Sequence, residues 1–272
     1  MRASCPGTIH SAKNHRFGGW QTGAVSTQDT SSDSPFHNRS PRDEAPQYVL
    51  PLVVRIEKAE PPARTDALET AARAVLVILS DERSLGEGAD EGEWAQAMRD
   101  WQDARIRKVV RRARGAEWRK ASALDGITVT GKSAEVRVFP PIPLDGWPKE
   151  LAKLQVSGTE LDDPAVVDAP DPLAPVLWVN PDLDMSAGKT MAQVGHAAQL
   201  AWWELSDADR EAWRAAGFPL SVRTAQPAAW RELTLSGLPL VRDAGFTEIA
   251  PGLTVAAQGG SLFCPLPSGR RP

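Results

Sequence analysis

The sequence predicts an α/β fold: a mixed β-sheet with helices on both faces, preceded by an α/β extension. Two observations predict it. Short runs of branched apolar residues, bounded by proline, glycine and charged clusters, alternate with longer stretches in which Ala and Leu recur at helical spacing. That alternation continues from residue 47 almost to the end of the chain, as expected of strands covered by helices.

Residues 1–46 are rich in Ser, Thr, Gly, Asn, Pro and Arg without apolar periodicity, and predict a disordered tail. An α/β extension is expected over 47–161. It opens with QYVLPLVVRIEK, a strand signal, and continues with PPARTDALETAARAVLVIL, a helix with prolines at its start. The acidic, glycine-containing stretch 81–93 predicts a loop. Residues 93–121 read as one long helix with a basic second half: Arg105, Arg107, Lys108, Arg111, Arg112, Arg114, Arg119 and Lys120 surround the apolar anchors Val109 and Val110. Strand signals return in ITV and AEVRVF, and the prolines of FPPIPLDGWP exclude a helix interior there.

Residues 162–174, acidic and proline-rich, predict a linker. A second unit is expected over 175–258: strand 176–180, helix 187–205, a helical piece around 208–216, strand LSVRTA, helix PAAWRELTLSG, strand LPLVRDA, and a last strand near LTVAAQ. Residues 259–272 predict an irregular tail.

With 272 residues the chain has room for one large domain or two small ones. A net charge of −4 argues against a wholly basic nucleic-acid coat protein, yet leaves room for a local basic patch. No apolar stretch approaches a membrane span, and no charged-then-apolar leader opens the chain. Cys5 and Cys264 space neither like metal ligands nor like a disulfide framework, so a reducing cytoplasm is the expected compartment.

The two units share an order of signals: strand, long helix, Trp-Arg element, strand, proline, helix, strand. Aligning AEWRKASALDG with EAWRAAGF leaves two readings open, an internal duplication or the common logic of α/β folds. In that alignment the first unit lacks the Lys, His and Asp of the second, and within Val156-Ser157-Gly158-Thr159-Glu160 no acid falls at the place of Asp243.

Within the second unit, VLWVNPDLDMSAGKTMAQVGHAAQLAWW places a Gly-Lys-Thr at the start of a helix. A phosphate-binding loop needs a glycine five residues before Gly188, and Leu183 stands there, while Asp182 and Asp184 would repel a polyphosphate. The phosphate-loop reading fails, and Thr190 loses its significance with it. Ser186 can cap the helix, and the helix start concentrates amides and partial positive charge beside Lys189. Lys189, Gln193 and His196 recur at i, i+4 and i+7, hence on one face, which suggests a polar cleft. A solvated lysine and a structural histidine are the bland alternatives. The second motif, VRDAGFTEIAPGLTV, puts Asp243 at a strand end before a glycine turn and two threonines; ordinary turn chemistry is its bland alternative.

Taken together, the two motifs resemble the second, archaeal-and-eukaryotic class of peptidyl-tRNA hydrolases. That family opens with an apolar strand, an Asp-Leu-Lys-Met-Gly-Lys-Gly-Lys turn and a helix beginning Ala-Ala-Gln, and closes with Asp-Ala-Gly-x-Thr-Gln-Ile-x-Pro-Gly and a threonine. Here the first motif reads Asp182-Leu183-Asp184-Met185-Ser186-Ala187-Gly188-Lys189, then Met191-Ala192-Gln193 and His196-Ala197. The second reads Asp243-Ala244-Gly245-Phe246-Thr247-Glu248-Ile249-Ala250-Pro251-Gly252, then Thr254.

The resemblance implies hydrolysis of the ester joining peptide to tRNA, by a carboxylic-ester hydrolase without metal or cofactor. It implies catalytic parts for Lys189, Asp243, Thr247 and Thr254, with Gln193 and His196 on the helix signature and Gly188 and Gly245 beside the substrate. The chain departs from the pattern at Asp184 and Ala187, where the family has lysines, and at Glu248, where it has glutamine. One residue is missing before Thr254, and no C-terminal helix is signalled. A tRNA partner demands positive charge; the basic stretch, with Arg107, Arg111 and Arg112, is the expected source of that contact. The family often dimerises, so a homodimer or an internal pseudo-dimer is expected. A non-catalytic RNA-binding or regulatory module on the same fold is the rival, and a small-molecule amide or ester hydrolase a second.

Overall fold

The branched apolar run at the start of the extension forms β1 (Tyr48–Arg55), whose interior is buried throughout, as befits a strand covered on both faces. The computed structural model describes residues 46–245 and 248–260. The expected disordered tail, most of the C-terminal tail, both cysteines, Phe246 and Thr247 lie outside them. The described residues belong to one compact unit.

β1 is followed by α1 (Arg64–Ser80), α2 (Ala95–Asp103), β2 (Lys108–Ala113), α3 (Gly115–Ser122), β3 (Ile127–Thr130), β4 (Glu135–Val138), β5 (Ile142–Pro143) and α4 (Lys149–Ala152). The second half contains β6 (Val176–Val179), α5 (Ala187–Glu204), α6 (Asp207–Ala215), β7 (Ser221–Thr224), α7 (Pro227–Leu235), β8 (Leu240–Asp243) and β9 (Gly252–Gln258). Two mixed sheets result, ordered β2-β1-β4-β3 with β5 added to β1, and β7-β6-β9-β8. Pro51 sits inside β1 where the antiparallel partner changes from β4 to β5, so its missing N–H falls at a break in the ladder.

One expectation is corrected. The long basic helix over 93–121 does not form. The chain leaves helix after Asp103, turns through Ile106 at a positive φ of 44°, and enters β2, which runs parallel to β1. The branched pair Val109-Val110 accounts for this: such residues fit a pleated surface, and here Lys108, Val110 and Ala113 are the buried positions of the strand. The basic residues therefore belong to a strand and a short helix rather than to one basic rod.

The two halves have the same topology. In each, the first strand pairs parallel with the second and antiparallel with the fourth, and the fourth pairs antiparallel with the third. Leu52 pairs with Val110 and Val138; Leu177 pairs with Val222 and Ala257. The sequence match between them runs without a gap from Trp101 to Arg119 against Trp213 to Arg231. Identities fall at Trp101/Trp213, Ala104/Ala216, Val110/Val222, Arg111/Arg223, Ala113/Ala225, Ala116/Ala228, Trp118/Trp230 and Arg119/Arg231.

Local geometry repeats with it. Trp101 Nε1 donates to the Arg107 carbonyl at 2.8 Å, and Trp213 Nε1 to that of Pro219 at 2.9 Å. Ile106 and Phe218, five residues after each tryptophan, are the two non-glycine residues with positive φ among those described. A bulky residue held there is rare, and finding it twice at one aligned position marks an internal duplication. The duplication stands, but in a different alignment from the one expected: Trp118 answers to Trp230 of α7, and Trp213 to Trp101.

The two copies meet through α1 and α5, which pack against each other along their length; α5 also lies on β2, and α1 on β7. Both helices are buried nearly all round and Ala-rich, because each is held between its own sheet and the other helix. This joint is the main core. Smaller apolar clusters close each sheet's outer face, one built on Trp118 and the other on Trp230.

The linker has a structural part. Thr65 N–H of α1 donates to Asp163 Oδ1 at 2.8 Å, and Gly188 N–H of α5 donates to Thr159 Oγ1 at 3.0 Å. Thr65 and Gly188 both occupy the second position of their helix. One short segment thus caps both long helices at matching places, supplying acceptors that helix starts otherwise lack.

Candidate active site

Four of the candidate residues converge on the N-terminal end of α5. Ser186 caps the helix by accepting from Lys189 N–H at 3.2 Å. The next turn of helix then sets Lys189 and Gln193 side by side, opposite the end of β8. Lys189 Nζ lies 2.6 Å from Asp243 Oδ2, with both side chains 11% exposed. Gln193 Nε2 donates to the same oxygen at 2.9 Å, and Gly245 N–H donates to Oδ1 at 2.8 Å. Gln193 Oε1 accepts from the buried Thr254 hydroxyl at 2.7 Å. Four of the expected residues, Lys189, Gln193, Asp243 and Thr254, thus form one hydrogen-bonded chain across α5, β8 and β9.

Burial of the Asp243 carboxyl acts to raise its pKa. The hydrogen bond from Lys189, the Gly245 amide, the charge of Lys189 and the Gln193 amide outweigh that, and hold it below the ordinary carboxylate value. It is therefore ionised and a weak proton acceptor.

His196, one turn further along, is half-buried and turned toward the first copy. Its Nδ1 lies 3.2 Å from Lys108 Nζ of β2, and Nε2 has no partner among the described residues. Burial, then the charges of Lys108 and Lys189, push its pKa well below the ordinary histidine value.

The two glycines are occupied differently from the expectation that they face substrate. Gly188 donates its N–H to Thr159, and a Cβ there would lie 2.7 Å from the same hydroxyl. Gly245 has φ of 77° and closes the turn onto Asp243, a conformation that favours glycine. Ser186 N–H and hydroxyl both donate to Glu248, at 3.1 and 2.8 Å. Thr190 turns its hydroxyl back onto the Ser186 carbonyl. Arg111 donates to the carbonyls of Ala152 and Leu154 and stacks on Trp147, while Arg112 donates to the Ser157 carbonyl. The latter two and Arg107 share no hydrogen bond with the Lys189–Asp243 cluster. Thr247 lies outside the described residues.

Beside the turn a cleft of about 540 Å³ opens between Arg64, linker residues 160–162 and the 180–187 segment. Neither Lys189 nor Asp243 lines it. Among the described residues no group of three or more His, Cys, Asp or Glu side chains is placed to hold a metal ion, and no helix is long and apolar enough to cross a membrane.

Residues 173–260 match the sequence model of the peptidyl-tRNA hydrolase PTH2 family. Over this segment the chain is similar to that family. The segment coincides with the second copy, the one that carries Lys189 and Asp243. A search of curated proteins returned no match to the chain. Within that copy the residues singled out from the sequence, Lys189, Gln193 and His196, lie on α5. Thr159, Glu248 and Lys108 were missed as neighbours, because each reaches the site from a distant part of the chain.

The first copy shows what becomes of the same place without those residues. With the helix starts aligned (Ala63 on Ser186), Asp66, Thr70 and Arg73 fall on Lys189, Gln193 and His196. The position of Asp243 falls near Gly131 at the end of β3, where any side chain would run into Asp66 and Thr70. The acid has moved from strand to helix. Asp66 accepts from Lys132 N–H at 3.1 Å, from Ser133 N–H and hydroxyl at 2.5 and 3.0 Å, and from Ala134 N–H at 2.8 Å. The result is a filled, self-satisfied turn.

Proposed function

We propose that this protein hydrolyses the ester between peptide and tRNA in peptidyl-tRNA, with the second copy as the working unit. One observation carries the reading: the Lys189–Asp243–Gln193–Thr254 chain lies inside the segment matched to the PTH2 family.

In this reading Asp243 orients the attacking water, since a carboxylate held at low pKa is too weak a base to remove its proton outright. Water oxygen adds to the ester carbonyl carbon, and Lys189 stabilises the negative charge that develops on the carbonyl oxygen. The bond to the ribose oxygen then breaks. The attacking water gives up both its protons, one to the ribose oxygen as it leaves and one to solvent, while the neutral His196 Nε2–H donates a hydrogen bond to the departing oxygen. The products are a peptide carboxylate and tRNA with its terminal hydroxyl restored. Thr254 acts through Gln193, fixing the amide that holds Asp243. Thr247 is assigned to the same site on the motif alone.

The tRNA contact is assigned to the basic surface of the first copy, where Arg119 and Lys120 of α3 are exposed. Arg107 adds to that charge, whereas Arg111 and Arg112 serve it less directly because their guanidinium groups bind nearby carbonyls. The compartment in this reading is the cytoplasm. In this reading the first copy takes the part of a second subunit.

The test is release of peptide from peptidyl-tRNA by wild-type protein, with Asp243→Asn as control. Absence of turnover would defeat the reading. A second reading has its own support: Thr159, Ser186 and Glu248 occupy much of the α5 start, which suits a module that binds RNA without cleaving it. That module would bind tRNA with strong salt dependence and leave the ester intact.

A further inference from the structure

Lys108 is a buried lysine that no described carboxylate touches. It projects from β2 of the first copy, 7% exposed, and crosses the joint between copies to α5. Its Nζ meets three acceptors: Gln199 Oε1 at 2.6 Å, His196 Nδ1 at 3.2 Å and the Ile106 carbonyl at 3.4 Å. The Trp101 ring lies 4.8 Å away on a further side. An ammonium has three N–H donors and no acceptor, so three acceptors satisfy it.

The surroundings are adapted to this side chain. Gly195 stands in mid-helix, where glycine costs about 1 kcal/mol against alanine. A Cβ there would meet Val75 Cγ2 of α1 at 3.0 Å and Lys108 Cδ at 3.3 Å, so the glycine makes room for the facing helix and the lysine stem together. Gln199 commits its oxygen to Lys108 although its own Nε2 is left buried and unpartnered. Buried polar atoms are seldom left so.

The other copy provides the contrast. The ungapped alignment sets Leu220 at the place of Lys108, and the helix alignment sets Ala72, Arg73 and Leu76 at the places of Gly195, His196 and Gln199. All four changes go together. Only the copy with Lys189 and Asp243 receives a lysine from its neighbour.

We infer that Lys108 is a positioning residue contributed by the first copy, which holds the His196 ring uncharged with its proton on Nε2 and that N–H turned away from the joint. The physical reason is a conflict of donors. If His196 were protonated on both nitrogens, Nδ1–H would face an ammonium N–H 3.2 Å away with no acceptor between them. Burial also disfavours a second positive charge on the pair. Other charged groups on elements packed against α5 are engaged elsewhere. Asp66 is bound to the β3–β4 turn, Glu69 to Arg223, Arg73 to Thr70, Arg64 to Met185 and Thr190, and Asp243 to Lys189, while Arg242 is exposed. On β2, Arg111 and Arg112 are bound near 152–157. Besides burial, which acts most strongly, the charged groups that bear on the ring's ionisation are thus Lys108 and then Lys189.

The value of a neutral Nε2–H to the ester rests on the hydrolase reading above; the state of the ring does not. The experiment records side-chain ¹⁵N shifts of His196 against pH in the full chain, for wild type, Lys108→Met and Lys108→Leu, alongside kcat and KM on peptidyl-tRNA. Wild-type His196 should stay in the Nε2–H tautomer throughout the region near pH 6.5 where a histidine ordinarily titrates. In either variant the ring should begin to titrate there, gaining a proton on Nδ1 as the pH falls. Identical His196 shifts and titration with and without Lys108 would overturn the proposal. So would a wild-type ring that titrates at its ordinary value, a result that stands even if neither variant folds. A protein without turnover would defeat the hydrolase reading and leave the tautomer measurement to decide this one.

Discussion

The Lys189–Asp243 pair lends itself to a quantitative test by double-mutant cycle. At 2.6 Å, an effective dielectric of about 20 gives an attraction of roughly 6 kcal/mol. Both side chains are 11% exposed, so desolvation of the two ions offsets several kcal/mol of that. What remains large is the penalty for removing one partner only, about 3–5 kcal/mol for a buried pair. Asp243 would still keep its bonds from Gln193 and Gly245 in Lys189→Met, which puts that variant near the lower figure.

For a compact unit of this size each kcal/mol moves the melting temperature by about 2–4 °C, so Lys189→Met should lower Tm by roughly 6–12 °C. Asp243→Asn should behave similarly, because an amide removes the carboxylate charge that faces the ammonium. In the double variant no charge is stranded, and the loss should fall short of the sum by about 2–3 kcal/mol. Denaturant melts give the stabilities, and single-turnover release of peptide from peptidyl-tRNA gives the activity. Each single variant should lose about 10²–10⁴-fold in rate, with the double variant no slower than the worse single one. Strictly additive stability losses would refute the claim that the two charges act as one unit. Turnover within a few-fold of wild type in Asp243→Asn would remove Asp243 from the chemistry.

Three further outcomes are expected. Thr159→Val keeps the shape of a buried side chain but leaves Gly188 N–H unpaired, and should cost about 1–3 kcal/mol; a wild-type denaturation midpoint at unchanged m-value would rule out the cap. Burial acts to raise the Asp66 carboxyl, and the amides of Ser133, Lys132 and Ala134 overcome it to hold the pKa low. The stability this carboxylate adds is complete above its unfolded value, about 3.9, and is lost as pH falls through the lower folded value. The gap in stability between wild type and Asp66→Asn should therefore be constant at neutral pH and close in acid; a gap that persists unchanged there would contradict the assignment. Light scattering should return the mass of a single 29.4 kDa chain, with specific activity independent of concentration; activity that rises on self-association would show that the first copy does not replace a subunit.

Elements fixed by local chemistry were readable in the sequence. The apolar run of β6 and the Ser186 cap are found as expected, and the spacing of Lys189 and Gln193 puts both on α5. The mistaken basic helix shows the limit of that approach. A short stretch of alternating basic and branched residues satisfies a helical pattern loosely, and only pairing with β1, more than fifty residues earlier, selects the strand. The duplication was misaligned for a related reason: two Trp-Arg elements exist in the second copy, and sequence alone favoured the wrong one. What separates them is burial. Trp118 and Trp230 each close an outer face, whereas Trp101 and Trp213 each bond the carbonyl six residues on. Lys108 was seen only as one charge in a basic run, because burial of a lysine opposite a histidine 88 residues away is a tertiary fact.

The covalent joining of two like copies changes which substitutions the molecule can accept. In an assembly of identical subunits, any new residue at the joint is made twice and must suit both halves. Here a lysine can cross the joint in one direction while leucine holds the matching place in the other, and a glycine opposite it need weaken one helix only. The fused chain has room for an asymmetry that a symmetric pair would have to carry on both sides. A fragment beginning at residue 173 would contain the matched segment yet leave behind Thr159, Lys108 and the whole of α1, and its α5 would present to water a face built to be covered.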